Sequence, residues 1–291
     1  MRPLKNTSGE TVALEAHEHM KTRIITAAVL VPLLLIILLF LPKFITAILF
    51  GLLAAIAVYE LLMGTGYIKQ FRLVAYGMVI AFAASIWSGL GASDVWAVIG
   101  VVLFACVLFT EMMLSHIKLR FEKICVCFTA SLLIPYLFTS IVRIHAEDVT
   151  GRFFVLIPFI LAFLSDSGAY FAGCYLGKHK LAPAISPKKT VEGAIGGVLA
   201  AIVGMLLFAL ILDLAFGFQV RYGYVLLYVV VGSLISVFGD LCFSVIKRQT
   251  GIKDYGNLIP GHGGVLDRFD SMVIVAPVTE AMLILIPLAV K

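Results

Sequence analysis

Nine runs of roughly 17 to 25 mostly apolar residues fill this chain, at about 24–42, 44–63, 73–91, 95–114, 124–142, 153–172, 193–215, 224–246 and 271–290. Each is long enough to cross a hydrocarbon layer ~30 Å thick as a helix. Within such a layer only helices and closed barrels satisfy every backbone N–H and C=O, and the runs are far too long for barrel strands. The expected fold is therefore all-α, a polytopic membrane protein with about nine transmembrane helices. Composition agrees: 62% of the 291 residues are hydrophobic and 13% are charged, too few charges to coat a water-soluble globule. No internal repeat, low-complexity tract or linker divides residues 20–291, which read as a single membrane-embedded domain behind a polar N-terminal extension, 1–19. The run that opens at residue 24 is longer than a signal-peptide core and is followed by no small-residue cleavage site, so it is expected to be retained.

Charge sets the orientation. With the N-terminus cytoplasmic, the stretches 1–23, 64–72, 115–123, 173–192 and 247–270 share that side and hold 17 of the 22 Lys and Arg. This is the asymmetry that the positive-inside rule describes. The net charge of +5 is then explained by basic loops beside anionic lipid and calls for no nucleic-acid partner. The five cysteines lie in or beside apolar runs with no metal-like spacing, and read as small residues that fill space.

Ionisable groups are unevenly distributed. Before residue 165 the runs are nearly bare of them; Glu60 and Glu111 sit near helix ends, where water is within reach. Glycines Gly193 and Gly197 have the small-xxx-small spacing of tight helix contact. Beyond residue 165, three polar clusters stand out, "SDSGAYFAGCYLGKHK" (165–180), "SPKKTVEGAIGG" (186–197) and "GDLCFSVIKR" (239–248), the last running on into a polar loop through residue 270. All fall at the cytoplasmic end of a span, so one site assembled from several helix ends accounts for them.

Asp240, Ser244, Lys247 and Arg248 stand at i, i+4, i+7 and i+8, on one helical face. Asp240 thus lies about two turns beneath the basic pair, where it needs either a basic partner or a bound cation; spacing alone leaves both open. Asp267 and Asp270 open the last span after Gly263 and Gly264. Hard oxygen ligands from two helices suit Mg²⁺ that also binds phosphate. Lys188, Lys189, Lys247, Arg248, Lys253 and Arg268, with Ser186, Thr190 and the glycines, make a surround fit for a polyanion. His262, flanked by glycines, is expected at the same site. "GCYLGKH" (173–179) lacks the phosphate-loop spacing and is rejected as one.

The string Ser244-x-x-Lys247-Arg248-x4-Lys253-Asp254-x4-Ile259-Pro260-x-His262-Gly263-Gly264-x-x-Asp267-Arg268-x-Asp270 resembles the signature of the CDP-diacylglycerol synthases, or phosphatidate cytidylyltransferases. "SPKKTVEGAIGG", "SDSGAYFAG" and the "MKTRIITA" start resemble other parts of that family, so the likeness covers about 20–291. It implies a multi-pass enzyme of the cell (inner) membrane, often a homodimer, with a cytoplasm-facing polar cavity. The enzyme joins CTP to phosphatidic acid with Mg²⁺ as cofactor, giving CDP-diacylglycerol and pyrophosphate. Carried over, Asp240 and Asp267 would be the metal pair, and Lys188, Lys189, Lys247 and Arg248 would meet phosphates. This chain departs from the pattern at Phe243, where an acid is usual, and at Tyr255, where a small Ser is usual; position 243 lies off the Asp240–Ser244–Lys247 face.

Two rival functions fit these residues less well. An ion-coupled transporter of a phosphorylated metabolite also uses intramembrane acids, but predicts repeat symmetry and a mid-membrane site. A CDP-alcohol phosphotransferase would carry D-G-x-x-A-R, which this sequence lacks.

Overall fold

The computed structural model describes residues 25–26, 28–91, 94–115, 118–147, 150–259, 261 and 263–290. The 1–19 extension and His262 lie outside them. A short apolar helix, α1 (Ala28–Phe40), precedes seven helices long and apolar enough to cross a membrane. These are α2 (Lys43–Gly64), α3 (Phe71–Gly89), α4 (Val95–Leu114), α5 (Phe121–Ala146), α6 (Gly151–Leu176), α7 (Val191–Phe216) and α8 (Tyr222–Thr250). A second short one, α9 (Met272–Leu285), follows a one-turn helix, Leu266–Phe269. All nine expected runs are thus helical, but α9 has 14 residues, fewer than the roughly 20 that a perpendicular crossing takes. The chain after it is extended instead, and β4 (Ala289–Val290) pairs antiparallel with β3 (Gln219–Val220).

The helices have local irregularities where the polar residues sit. The last turn of α2, Glu60–Gly64, is a π-turn. Another π-turn, Ile160–Leu164, lies in α6 one residue before Ser165 and Asp166. Such turns re-aim the following side chains and often mark functional positions. Between α6 and α7 the hairpin β1 (Lys180–Ala182) and β2 (Ser186–Thr190) folds back, and the Thr190 hydroxyl accepts from Gly193 N–H as the cap of α7.

Close helix contact explains the glycines of α7. A Cβ on Gly193 would lie 2.8 Å from the Ala169 carbonyl oxygen, and one on Gly197 2.6 Å from that of Ser165. The pair is therefore a contact surface that draws α6 against α7, the role its spacing suggests. Aromatic rings fill the middle of the bundle, with Phe50 against Phe138 and Phe159. The buried Tyr228 hydroxyl donates to the Ile286 carbonyl at 2.9 Å.

At the end away from the hairpin, Arg143 of α5 grips Glu280 of α9 with two bonds, Nε to Oε1 at 2.6 Å and Nη2 to Oε2 at 2.7 Å. A bidentate pair of this kind combines charge with fixed geometry. Arg143→Ala should destabilise the bundle by about 1–3 kcal/mol, seen as a lower midpoint of denaturant unfolding in detergent. The specific activity of the folded fraction should stay at the wild-type level, because this pair is remote from the polar end.

Candidate active site

The polar site is built where four segments meet at the hairpin end of the bundle. From α8, Asp240 receives the Ser244 hydroxyl at 3.1 Å and pairs with Lys189 of β2. The i, i+4 arrangement read from sequence is thus a real hydrogen bond, and the basic partner that the half-buried Asp240 takes comes from the hairpin. Lys247, two turns along the same face, reaches Asp267 Oδ1 at 3.0 Å and Asp270 Oδ2 at 4.0 Å. From α6, Asp166 accepts from the hydroxyls of Ser236 on α8 at 3.3 Å and Ser271 at 3.1 Å. Asp166, Asp240 and Asp270 lie close enough to feel one another's charge.

Asp267 also organises the preceding loop. Its Oδ2 accepts from Tyr255 N–H at 2.8 Å and from Gly264 N–H at 3.1 Å, so both carboxylate oxygens are engaged and the side chain is only 3% exposed. Ile259 N–H donates to the Gly263 carbonyl at 2.9 Å, closing a turn in which Gly263 has φ +87°, a backbone that favours glycine.

Glu60 is the residue that the sequence placed differently. Expected to reach water at a helix end, it is buried at 3% exposure. Its carboxylate accepts from Val265 N–H at 3.0 Å and Leu266 N–H at 2.8 Å. A carboxylate taken out of water must be paired or hydrogen-bonded, and here it tethers the loop and the one-turn helix that carries Asp267 to α2. The loop closes tightly around it, since Cβ atoms on Gly256 and Gly264 would lie 2.5 and 2.6 Å from its oxygens. The signal available in sequence was the Gly263–Gly264 pair ahead of Asp267; that Gly264, together with Gly256, closes on Glu60 was not legible.

The remaining basic residues form an outer ring. Lys188, Arg248, Lys253 and Arg268 are exposed. Arg248 Nε donates to the Ile185 carbonyl at 3.1 Å, joining the end of α8 to the hairpin turn. Ser186, in β2, is half-buried. Glu192 is a scaffold group, accepting from the backbone of Lys178 and His179 and contacting His179 Nδ1 at 2.5 Å. Asp254 is exposed.

The two departures from the family pattern meet each other. Phe243 and Tyr255 stack edge to face at 6.3 Å, and the Tyr255 hydroxyl donates to the Phe243 carbonyl at 2.8 Å. Burial, with the charges of Asp267 and Asp270, pushes the Tyr255 phenol well above its ordinary range, so it remains a donor. Lys247 Nζ rests over its ring, 5.3 Å from the centroid.

Among the described residues, no three His, Cys, Asp or Glu side chains are grouped so as to hold a metal by themselves. That is compatible with Mg²⁺, which takes one or two carboxylates and fills its shell with water and substrate phosphate. The donor chemistry fits: four carboxylates, Asp166, Asp240, Asp267 and Asp270, meet two ammonium groups, those of Lys189 and Lys247.

A bundle of apolar helices with acids and lysines gathered at one end describes a polytopic membrane protein with a charged site at that end. The chain belongs to the cytidylyltransferase family, whose pattern it matches over residues 21–286. It is similar to the phosphatidate cytidylyltransferase of Bacillus subtilis, 35% identical over 266 residues that cover 89% of this chain and 95% of the relative. The phosphatidate cytidylyltransferase of Staphylococcus epidermidis is 31% identical over 269 residues, 91% of this chain and 99% of the relative. That of Haemophilus influenzae is 44% identical over 156 residues, 52% and 54% of the two chains. Nothing in these likenesses supports the transporter reading.

If Glu60 holds the loop, Glu60→Ala should leave two buried N–H groups unpaired at about 1–3 kcal/mol each. Hydrogen exchange at Val265 and Leu266 should quicken by at least about tenfold. Glu111→Ala, which removes a contact to the exposed Arg72, should leave those amides unchanged.

Proposed function

We propose that this chain is a phosphatidate cytidylyltransferase, joining CTP to phosphatidic acid to give CDP-diacylglycerol and pyrophosphate. The observation that carries the reading is the Asp240–Lys189 and Asp267–Lys247 arrangement inside a chain of this family. A phosphatidate oxygen attacks the α-phosphorus of CTP, a new P–O bond forms, and the α–β phosphoanhydride bond breaks with its electron pair leaving on pyrophosphate. The attacking phosphomonoester is already anionic, so the protein's work is positioning and charge neutralisation. Lys189 and Lys247, each held on a carboxylate, are placed to turn toward substrate phosphates, and Lys188, Arg248, Lys253 and Arg268 gather the polyanion at the rim.

Mg²⁺ bound here would neutralise the reacting phosphates. Asp240 is the ligand we favour first, with Asp267 as the partner the resemblance implies; Asp267 could take that role only by giving up Lys247. At the inner position, inside the basic rim, four carboxylates face only the ammonium groups of Lys189 and Lys247, and a cation there would relieve the repulsion among those acids. His262 and the Gly263–Gly264 backbone are proposed to close on the substrate. We further propose that all nine helices lie in the cell membrane, with α9 completing its crossing through the one-turn helix before it and the extended residues after it, that the site and N-terminus face the cytoplasm through a polar cavity, and that the enzyme is a homodimer.

The test is turnover in detergent with CTP, phosphatidate and Mg²⁺. Wild type should form a chloroform-soluble CDP-lipid, and omission of any one component should abolish it. Asp240→Asn should lower kcat by about 10²- to 10³-fold, and Asp267→Asn comparably. Lys188→Ala, at the exposed rim, should cost no more than about tenfold and act mainly on the KM for CTP. Full activity in Asp240→Asn would defeat the reading.

A further inference from the structure

The geometry points to a built groove for one acyl chain of the lipid substrate, running from the active site down the side of α5. It rests on the reading that the substrate is phosphatidate, and it names where that lipid's tail lies.

The helix arrangement makes the groove. α9 packs on both α5 and α8, whereas those two share no extensive contact with each other. The result is a trough with α9 as its floor and α5 and α8 as walls, enclosing about 490 Å³. On α5 the lining residues Cys125, Thr129, Leu133 and Leu137 fall at i, i+4, i+8 and i+12, a single stripe along one face. Twelve residues at 1.5 Å each give it a length of about 18 Å along the helix axis. Its orientation is therefore that of a lipid tail in a bilayer leaflet, with Cys125 at the active-site end and Leu137 in the interior.

The trough is joined to the site at its upper end. Cys242, Phe243 and Ile246 of α8 line it, and they alternate along the helix with Asp240, Ser244 and Lys247, which face the polar cluster. On the floor, Val273 and Ile274 follow Asp270 by one turn. The wall between tail and phosphate is the Phe243–Tyr255 pair, with Phe243 on the apolar side and the Tyr255 ring beneath Lys247. A lipid whose phosphate is held by Lys247 thus has an apolar path directly beside it. The trough opens sideways, since Cys125 and Thr129 are exposed and Leu133 is 49% exposed.

Two measurements on the full-length enzyme test this. Extended carbon chains advance ~1.2 Å per bond, so an eight-carbon chain fills about half the trough and stops short of Leu133, while an eighteen-carbon chain passes it. Leu133→Trp should lower the ratio of kcat/KM for dioleoyl over dioctanoyl phosphatidate by about tenfold, the loss of roughly two buried methylenes. Phe109→Trp, on α4, should leave the ratio unchanged. An unchanged ratio in Leu133→Trp overturns the groove, while failure of wild type to turn over either lipid would instead defeat the enzymatic reading.

The second measurement needs no variant. Maleimide labelling of wild type, read peptide by peptide, should show dioleoyl phosphatidate protecting Cys125 more than dioctanoyl phosphatidate does. Cys174, exposed on α6 outside the trough, should respond alike to both. Equal protection of Cys125 by the two chain lengths, or by dioleoyl phosphatidylglycerol at the same mole fraction, would overturn the assignment, since any bilayer lipid would then fill the trough.

Discussion

A carboxylate inside an apolar bundle must find a partner, and the rest of this structure follows from how five of them do so. Glu60 takes two backbone N–H groups of the segment before α9. Asp267 takes two more and one ammonium. Asp240 takes a hydroxyl and a lysine, Asp166 two hydroxyls, and Asp270 shares Lys247. Because the partners come from α2, α6, β2, α8 and the loop before α9, satisfying the charges also fixes the relative positions of those segments. The cost of burying charge is what draws elements far apart in sequence to one end of the bundle.

The same pairings leave the site ready for a charged ligand. Lysines held on carboxylates are already desolvated and oriented, so less ordering is required when a phosphate replaces one partner. The two π-turns contribute by setting the rotation at which Glu60 and Asp166 leave their helices. One closes α2 at the site and the other lies mid-span in α6 just before Asp166, in keeping with the tendency of such turns to collect where function requires irregular geometry.

How much of this could be read from sequence depended on range. The helices were legible because a membrane forces long apolar runs, and the Asp240–Ser244 bond was legible because i, i+4 spacing dictates it. The contact glycines of α7 were legible for the same local reason. The partner of Asp240 was not, since Lys189 lies 51 positions away on a hairpin that charge counting reads only as a basic loop. Glu60 was misplaced because proximity to a helix end suggests water, and only the folded loop shows that the end is covered. The shortness of α9 was hidden too, as residues 286–290 are as apolar as the helix they follow, but the chain there leaves the helix and Ala289 and Val290 pair with β3 instead.

Phe243 illustrates the limit from the other side. Helical counting places it off the polar face, and there it lies, but its role in separating an apolar trough from Lys247 depends on Tyr255, twelve residues on and in another segment. Local periodicity says where a side chain cannot point; tertiary contact decides what it meets.

The central claim is chemical: the lipid phosphate attacks the α-phosphorus of CTP. It is tested most directly by supplying the purified enzyme with CTP radiolabelled at either its α or its γ phosphate. The account predicts that α label passes into the chloroform phase with the lipid while γ label is recovered wholly in pyrophosphate. Lipid carrying the γ label, or no lipid label from either position, would contradict it.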